Sequence, residues 1–158
     1  MSKWQKISVF LLRISLGWLF FYAGITKLIN PNWSAQGFLN NAKTFSSFYQ
    51  WLTSDSILPI VNALNEWGLT LIGISLILGI AVRLSTYSGA LLMILYYFPR
   101  LTFPYPDANS FIVDQHIIYI CILLFLGAIR AGHIYGLENW CINLPVCKRF
   151  PQIRKFLG

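Results

Sequence analysis

Four titratable residues stand near the ends of apolar stretches, where a charge needs a partner or water. They are Lys27, Glu66, Asp114 and His116. Ionisable groups in membrane helices are costly, so they mark either pairing inside a bundle or a functional pathway. We predict that these four lie at similar depth and form the catalytic group, which moves protons or attracts an anion. The alternative is an ion-pair cluster that only ties helices together.

Three arginines lie toward the opposite ends of the same stretches. Arg83 and Arg130 end two of them, and lipid phosphates are their simplest partners because long side chains reach the headgroups. Arg13 lies deeper, about two turns inside the first stretch. Its candidate partners are a ligand carbonyl, a bound anion, the carboxylate of Glu138 and backbone carbonyl groups.

Glycine and aromatic residues in these stretches suit a flat ligand. One face of the first stretch carries Arg13, Gly17, Phe20, Gly24 and Lys27. The glycines are first of all packing residues, but they would also admit a flat ring between helices. A quinone fits this description, because its two carbonyl groups accept hydrogen bonds from Arg, His or Tyr. We predict quinone as the cofactor, bound by Arg13, Phe20, Tyr22, Arg83 and Tyr96.

The composition indicates that the folded chain is surrounded by lipid and not by water. Of 158 residues, 56% are hydrophobic and only 11% are charged, which is too apolar for a soluble domain of this length. We predict an all-α, integral membrane four-helix bundle over residues 1–140, with spans at residues 7–29, 66–82, 85–98 and 111–131. A tight turn at Arg83 to Ser85 would join the second and third spans. Residues 141–158 would form a basic tail.

The segment between the first two spans has a different character. Residues 32–64 mix aromatic with polar side chains, which predicts amphipathic helices lying at the membrane interface. Most Lys and Arg residues fall on one side of the predicted spans, so we place both termini of this multi-pass cell-membrane protein in the cytoplasm. The net charge of +7 does not indicate nucleic acid, because the basic residues flank apolar stretches.

Neither histidines nor cysteines predict a metal site. His116 and His133 stand at opposite ends of the last span, about 25 Å apart on a continuous helix, which is too far to share one ion. Cys141 and Cys147 lack the CxxC spacing of redox sites, and their pairing as a disulfide stays open.

Glycines and charges recur along the predicted spans in a specific order. The residues in question are Arg13, Gly17, Gly24 and Lys27 in the first span, Glu66, Gly73, Gly79 and Arg83 in the second, Gly89 and Met93 in the third, and Asp114, His116, Gly132 and Gly136 in and after the fourth. This pattern resembles the DoxX/DoxD family of four-helix membrane proteins over about residues 7–137. The aromatic first loop, Trp33 to Phe38, looks more like the DoxD branch, the membrane subunit of thiosulfate:quinone oxidoreductase.

That resemblance implies electron transfer from thiosulfate or another sulfur compound to quinone, often with a second subunit. The positions that match the family pattern are Arg13, Lys27, Glu66, Arg83, Asp114 and His116. Our leading hypothesis is therefore a membrane subunit of a quinone-linked oxidoreductase. The chief alternative is a non-catalytic scaffold that binds a partner protein. A small-solute carrier is the third, and it would need a homo-oligomer to form a pore.

Overall fold

The computed structural model describes residues 1–141, and it is entirely helical apart from turns and loops. In chain order the helices are α1 (Lys3–Leu28), α2 (Gln36–Asn40), α3 (Ser46–Trp51), α4 (Leu58–Leu78), α5 (Val82–Arg100), α6 (Gln115–Ala128) and α7 (Glu138–Cys141), with a 3-10 turn at Ala131–His133. Residues 1–141 contain no strand, only two isolated bridges in the loop after α5. The predicted all-α class is confirmed. The predicted basic tail and Cys147 lie outside the described residues.

Helices α1 and α4 pack antiparallel at very short distance. A Cβ atom on Gly24 would lie 2.4 Å from the Thr70 backbone nitrogen, and one on Gly73 would lie 2.3 Å from that of Phe21. Backbones this close leave no room for a side chain, as in other small-residue helix contacts. The face predicted for α1 does face inward, since Arg13, Gly17, Phe20 and Gly24 are buried.

The turn between α4 and α5 lies earlier than predicted. Gly79 ends α4 in the left-handed region at φ 69°, which suits a residue without a Cβ atom. The Ser75 hydroxyl then donates to the Ile80 carbonyl oxygen at 2.5 Å and accepts from the Ser85 hydroxyl at 2.5 Å. The turn therefore spans residues 79–81, and Arg83 belongs to the first turn of α5. The predicted turn at Arg83 to Ser85 was wrong.

Helices α5 and α6 form the second closely packed pair. A Cβ atom on Gly127 would lie 2.6 Å from Thr86 Oγ1, and Gly89 faces Leu123. Helix α6 is shorter than the predicted span 111–131, because Asp114 is an extended N-cap residue whose carboxylate accepts from two backbone N–H groups. The helix ends before Arg130, which adopts a left-handed conformation.

The segment between α1 and α4 forms a small second core. Ala35, Leu39, Ala42 and Tyr49 are buried there; Leu39 belongs to α2 and Tyr49 to α3, and the two alanines flank α2. Three hydrogen bonds fix this segment to the end of α5, from Lys43 N to Pro99 O (2.9 Å), Thr44 Oγ1 to Leu101 O (2.6 Å) and Tyr49 Oη to Leu95 O (3.0 Å). Helix α4 starts at Leu58, eight residues before the predicted span that begins at residue 66, and Pro59 fits its first turn.

Length and composition identify α1 and α4 as candidate membrane spans among residues 1–141, and α6 is apolar but only 14 residues long. Helix α5 has Arg83 and Arg100 near its ends and several hydroxyl groups between them. Many large apolar side chains point outward, among them Leu11, Trp18, Leu71, Leu91 and Phe125. Such a surface is suited to the lipid bilayer, not to water.

Candidate functional site

Three helices meet at the amino group of Lys27. Lys27 Nζ, near the end of α1, donates to Asn65 Oδ1 of α4 at 2.8 Å and to Tyr96 Oη of α5 at 3.1 Å. The Tyr96 hydroxyl donates to the same Asn65 oxygen at 2.6 Å. The ammonium also lies 4.9 Å from the ring centroid of Trp33, a distance typical of a cation–π contact. Among the described residues, two of the three Lys27 N–H donors thus have hydrogen-bond acceptors.

A histidine and an aspartate from the start of α6 complete this end of the bundle. His116 Nδ1 lies 2.5 Å from Asp114 Oδ2, while Asp114 Oδ1 accepts from the His116 backbone N–H at 2.9 Å. Both residues are 7% exposed. Because Asp114 holds Nδ1, the imidazole orientation is fixed and Nε2 remains for another partner. The His116 ring meets the Tyr96 ring edge-on, with centroids 6.1 Å apart.

These groups line a cavity of about 250 Å³. We call it the polar cavity; its lining residues are Lys27, Trp33, Ser34, Ala35, Phe38, Asn65, Tyr96, Arg100 and His116. Helices α1, α4, α5 and α6 supply the polar groups, and the segment containing α2 covers them. The cavity therefore combines hydrogen-bond donors with aromatic walls, which is the usual make-up of a small-molecule site.

The structure brings the four predicted catalytic residues to the same end of the bundle. Lys27 and His116 line the polar cavity, and Asp114 lies behind His116. Glu66 is half-buried next to Asn65 and interacts electrostatically with Lys27, but no direct ion pair joins them in the described part of the chain. The predicted single neutral cluster is therefore replaced by two hydrogen-bonded groups. Lys27, Asn65 and Tyr96 form one, Asp114 and His116 form the other, and the rings of Tyr96 and His116 are in contact.

The predicted cofactor-binding residues do not form one site. Tyr96 lines the polar cavity, whereas Phe20 is fully buried in the core and Tyr22 is 59% exposed on the outside of α1. Arg13 and Arg83 lie near the opposite end of the bundle. The sequence did not indicate Asn65 and Trp33 as site residues. For Asn65 the reason is that its position depends on where α4 begins.

The side chain of Arg13 is fully buried and binds the chain that follows α6. Its guanidinium donates to the carbonyl oxygens of Ala131 (2.6 Å), Ile134 (3.1 Å) and Tyr135 (3.1 Å). Of the partners that the sequence left open, backbone carbonyls are the ones observed. Arg13 thus holds residues 131–135 against α1, and the Leu137 N–H group donates to the Leu78 carbonyl oxygen at 3.1 Å beside them.

Glu138 is buried next to this arrangement. It is 4% exposed, and neither carboxyl oxygen has a hydrogen-bond partner among the described residues. A Cβ atom on Gly132 would collide with its Oε2 atom, so any other residue there would displace the Glu138 carboxyl group. Burial raises the pKa of Glu138, and its electrostatic interactions with His133, Arg13 and Arg130 oppose this rise only in part.

We expect the pH dependence of stability to follow from Glu138. A raised folded-state pKa means that the folded protein binds the proton more tightly than the unfolded chain does. Stability should therefore fall as pH rises from the ordinary value of 4.5 through the raised folded-state pKa. Glu138→Gln should remove this slope and be the more stable protein at neutral pH. Melting temperatures of both proteins in detergent between pH 4 and 8 test this, and an unchanged slope in the variant would contradict it.

Within residues 1–141 no group of three His, Cys, Asp or Glu side chains could hold an ion. Cys121 is exposed on α6 and has no disulfide partner in this range.

Fold and site define a helical membrane protein with a polar, aromatic-walled cavity at one end of its bundle. The comparison with family models then identifies the family: residues 8–100 match the DoxX model, so this chain belongs to the DoxX family, a membrane family often linked to oxidoreductase functions. Lys27, Asn65 and Tyr96 lie inside the matched range, and Asp114 and His116 lie beyond it. No curated protein and no solved structure matched the chain.

Proposed function

We propose that this protein is the membrane subunit of a quinone-linked oxidoreductase, and that the polar cavity holds the quinone ring. The observation that carries the proposal is the joint placement of Lys27, Tyr96 and His116 around one cavity. Its electrons would come from thiosulfate or another sulfur compound, with a second subunit as the expected partner. The resemblance of the first loop to the DoxD branch supports this choice of donor.

The proposed topology has four spans, formed by α1, α4, α5 and α6. The chain enters and leaves the bundle at the end opposite the polar cavity, because Arg13 of α1 contacts residues 131–135 there. That end also carries Lys3, Lys6, Arg83 and Arg130, which favours a cytoplasmic position for both termini. The polar cavity would then open on the other side of the cell membrane.

The residues of the polar cavity fit a quinone. A quinone ring is flat and offers two acceptor oxygens, and the cavity offers aromatic walls together with donors from Lys27 and His116, while Tyr96 holds the Lys27 amino group in place. A second cavity of about 230 Å³ adjoins it, and the combined space lies in the range of roughly 300–1,000 Å³ found for small-molecule sites. When bound, a quinone supplies the acceptor for electrons, and its reduction takes up protons.

Each polar residue has a definite task in this proposal. The Lys27 ammonium, held in place by Asn65 and Tyr96, has a donor left for a carbonyl oxygen and favours negative charge there. His116, fixed by Asp114 at Nδ1, can carry a proton at Nε2 toward the cavity. Trp33 and Phe38 cover the cavity and limit the entry of water.

Loss of the Lys27 ammonium should weaken quinone binding by roughly ten- to a hundredfold, since a hydrogen bond to a charged group contributes roughly 1.5–3 kcal/mol. Lys27→Met keeps the Tyr96–Asn65 hydrogen bond, so the fold should survive. Binding of a decyl-substituted benzoquinone can be followed by quenching of tryptophan fluorescence, with Trp33→Phe identifying the signal from the cavity wall.

Lys43→Met is the matched control, because Lys43 is an exposed lysine near the same end that does not line the polar cavity. It should bind the quinone as the wild type does. The proposal is wrong if the wild-type protein does not bind the quinone, or if Lys27→Met and Lys43→Met bind it equally well.

The scaffold hypothesis has its own supporting observation. All three hydrogen bonds of the buried Arg13 guanidinium go to backbone carbonyls, while its Nε atom has no partner among the described residues, which favours a structural role for at least this buried charge. If all the charges serve that purpose, His116→Gln should leave the cellular function intact, whereas the oxidoreductase proposal expects loss of quinone reduction.

A further inference from the structure

The second cavity is apolar and shares a wall with the polar cavity. It lies between α3, α4 and α5, and its lining residues are Ala35, Phe38, Leu39, Phe48, Tyr49, Leu52, Val61, Leu64, Asn65, Leu92, Leu95 and Tyr96. We call it the apolar cavity. Ala35, Phe38, Asn65 and Tyr96 border both cavities, so the two spaces are neighbours that share these residues.

Two aromatic rings form most of this shared wall. The Phe38 and Tyr96 rings meet edge-on, with centroids 5.7 Å apart. Tyr96 is held by its hydrogen bonds to Lys27 and Asn65. Phe38 has no such anchor: it is 37% exposed and belongs to α2, a five-residue helix without a side-chain cap. Of the two rings, Phe38 is therefore the one that can move aside.

The two cavities differ in chemistry in a way that matches an amphiphile. The polar cavity carries Lys27, Arg100 and His116, while the apolar cavity has only Asn65 and the two tyrosines as polar side chains, and Tyr49 donates its hydroxyl to Leu95 O. In a molecule with a polar ring and a hydrocarbon chain, the ring would fit the polar cavity and the chain would fit the apolar cavity, with Phe38 between them.

We propose that the apolar cavity binds the hydrocarbon chain of the same quinone whose ring occupies the polar cavity, and that Phe38 is the residue around which the chain passes. This inference rests on the proposed function and adds the class of quinone, one with an alkyl or prenyl chain. Lipid tails are as apolar as this cavity, so the preference comes from packing contacts and is moderate, about tenfold in the dissociation constant.

The test fills the apolar cavity without touching the polar one. Val61→Phe adds a ring to the α4 wall of the apolar cavity, and Ile60→Phe adds the same ring at the neighbouring position, which is 59% exposed and lines neither cavity. Leu64→Phe, at a rim position that is 67% exposed, is a second filling variant that the fold should tolerate more easily. The probes are a benzoquinone without a chain and the same ring with a decyl chain.

We expect both filling variants to weaken binding of the decyl compound by about tenfold and to leave the chain-free ring unchanged, with Ile60→Phe behaving as wild type. If the wild type binds both probes and neither filling variant weakens the decyl compound selectively, the inference is wrong while the proposed function stands. If the wild type binds neither probe, the proposed function fails and this inference fails with it.

Discussion

Replacement of Arg13 by methionine should lower the free energy of unfolding by about 3 to 5 kcal/mol, the usual loss when one partner of a buried charge arrangement is removed. Three carbonyl groups, those of Ala131, Ile134 and Tyr135, would lose the guanidinium donor, in a buried hydrogen bond for Ala131 and in partly buried ones for the other two. Glu138 would lose a nearby positive charge as well. Chemical or thermal unfolding of the purified protein in detergent measures the change.

Two further variants separate this effect from a general loss of charge. Lys6→Met removes an exposed cation from the same helix and should change stability by less than about 0.5 kcal/mol. The double variant Arg13→Met/Glu138→Gln should recover part of the loss, because the buried carboxyl group no longer needs a countercharge. A loss below about 1 kcal/mol in Arg13→Met would show that the three hydrogen bonds contribute little.

A single methyl group at Gly73 should destabilise the bundle by about 3 kcal/mol, near the upper end of the usual effect of overpacking. The new Cβ atom would lie within 2.3 to 2.6 Å of the N, Cα and Cβ atoms of Phe21. Backbone atoms cannot rotate away, so α1 and α4 would have to separate and lose contacts along their length. Gly73→Ala can be compared with the wild type by its melting temperature in the same detergent.

Gly68 provides the matched control on the same helix. A Cβ atom there would meet nothing within 4 Å, so Gly68→Ala should gain the difference in helix propensity, up to about 1 kcal/mol in favour of alanine. Opposite signs for the two variants are the expected result. Equal stabilities would mean that α1 and α4 do not approach each other as described.

Much of the helix arrangement follows from patterns that the sequence displays directly. The spacing of Arg13, Gly17, Gly24 and Lys27 predicted one inward face of α1, and the first three are buried. The positions of helix ends were harder, because they depend on local hydrogen bonds. Asp114 reads as a charge at the end of an apolar run, yet it caps α6 and shortens that helix.

The candidate site could be predicted only in part, because residue types are visible in the sequence but helix register is not. Lys27, His116 and Tyr96 stand out by residue type, and the structure places all three at the polar cavity. Asn65 was not predicted as a site residue, because asparagines are common in helices and only the register of α4 places this one beside Lys27. Backbone carbonyls were one of several partners left open for Arg13, and the sequence could not select among them, since the Ala131 carbonyl lies 118 residues away and any residue type carries such a group.

Because Lys27 hydrogen-bonds to two other helices, ligand binding next to it should affect the thermal stability of the whole bundle. One amino group joins α1, α4 and α5, so any compound that binds beside it only in the folded protein should raise the melting temperature. At a concentration one hundred times the dissociation constant this gain amounts to about 2.7 kcal/mol. A thermal-shift screen of sulfur anions, quinones and lipids can therefore reveal the physiological ligand without an activity assay, and Lys27→Met should reduce the shift that this ligand produces.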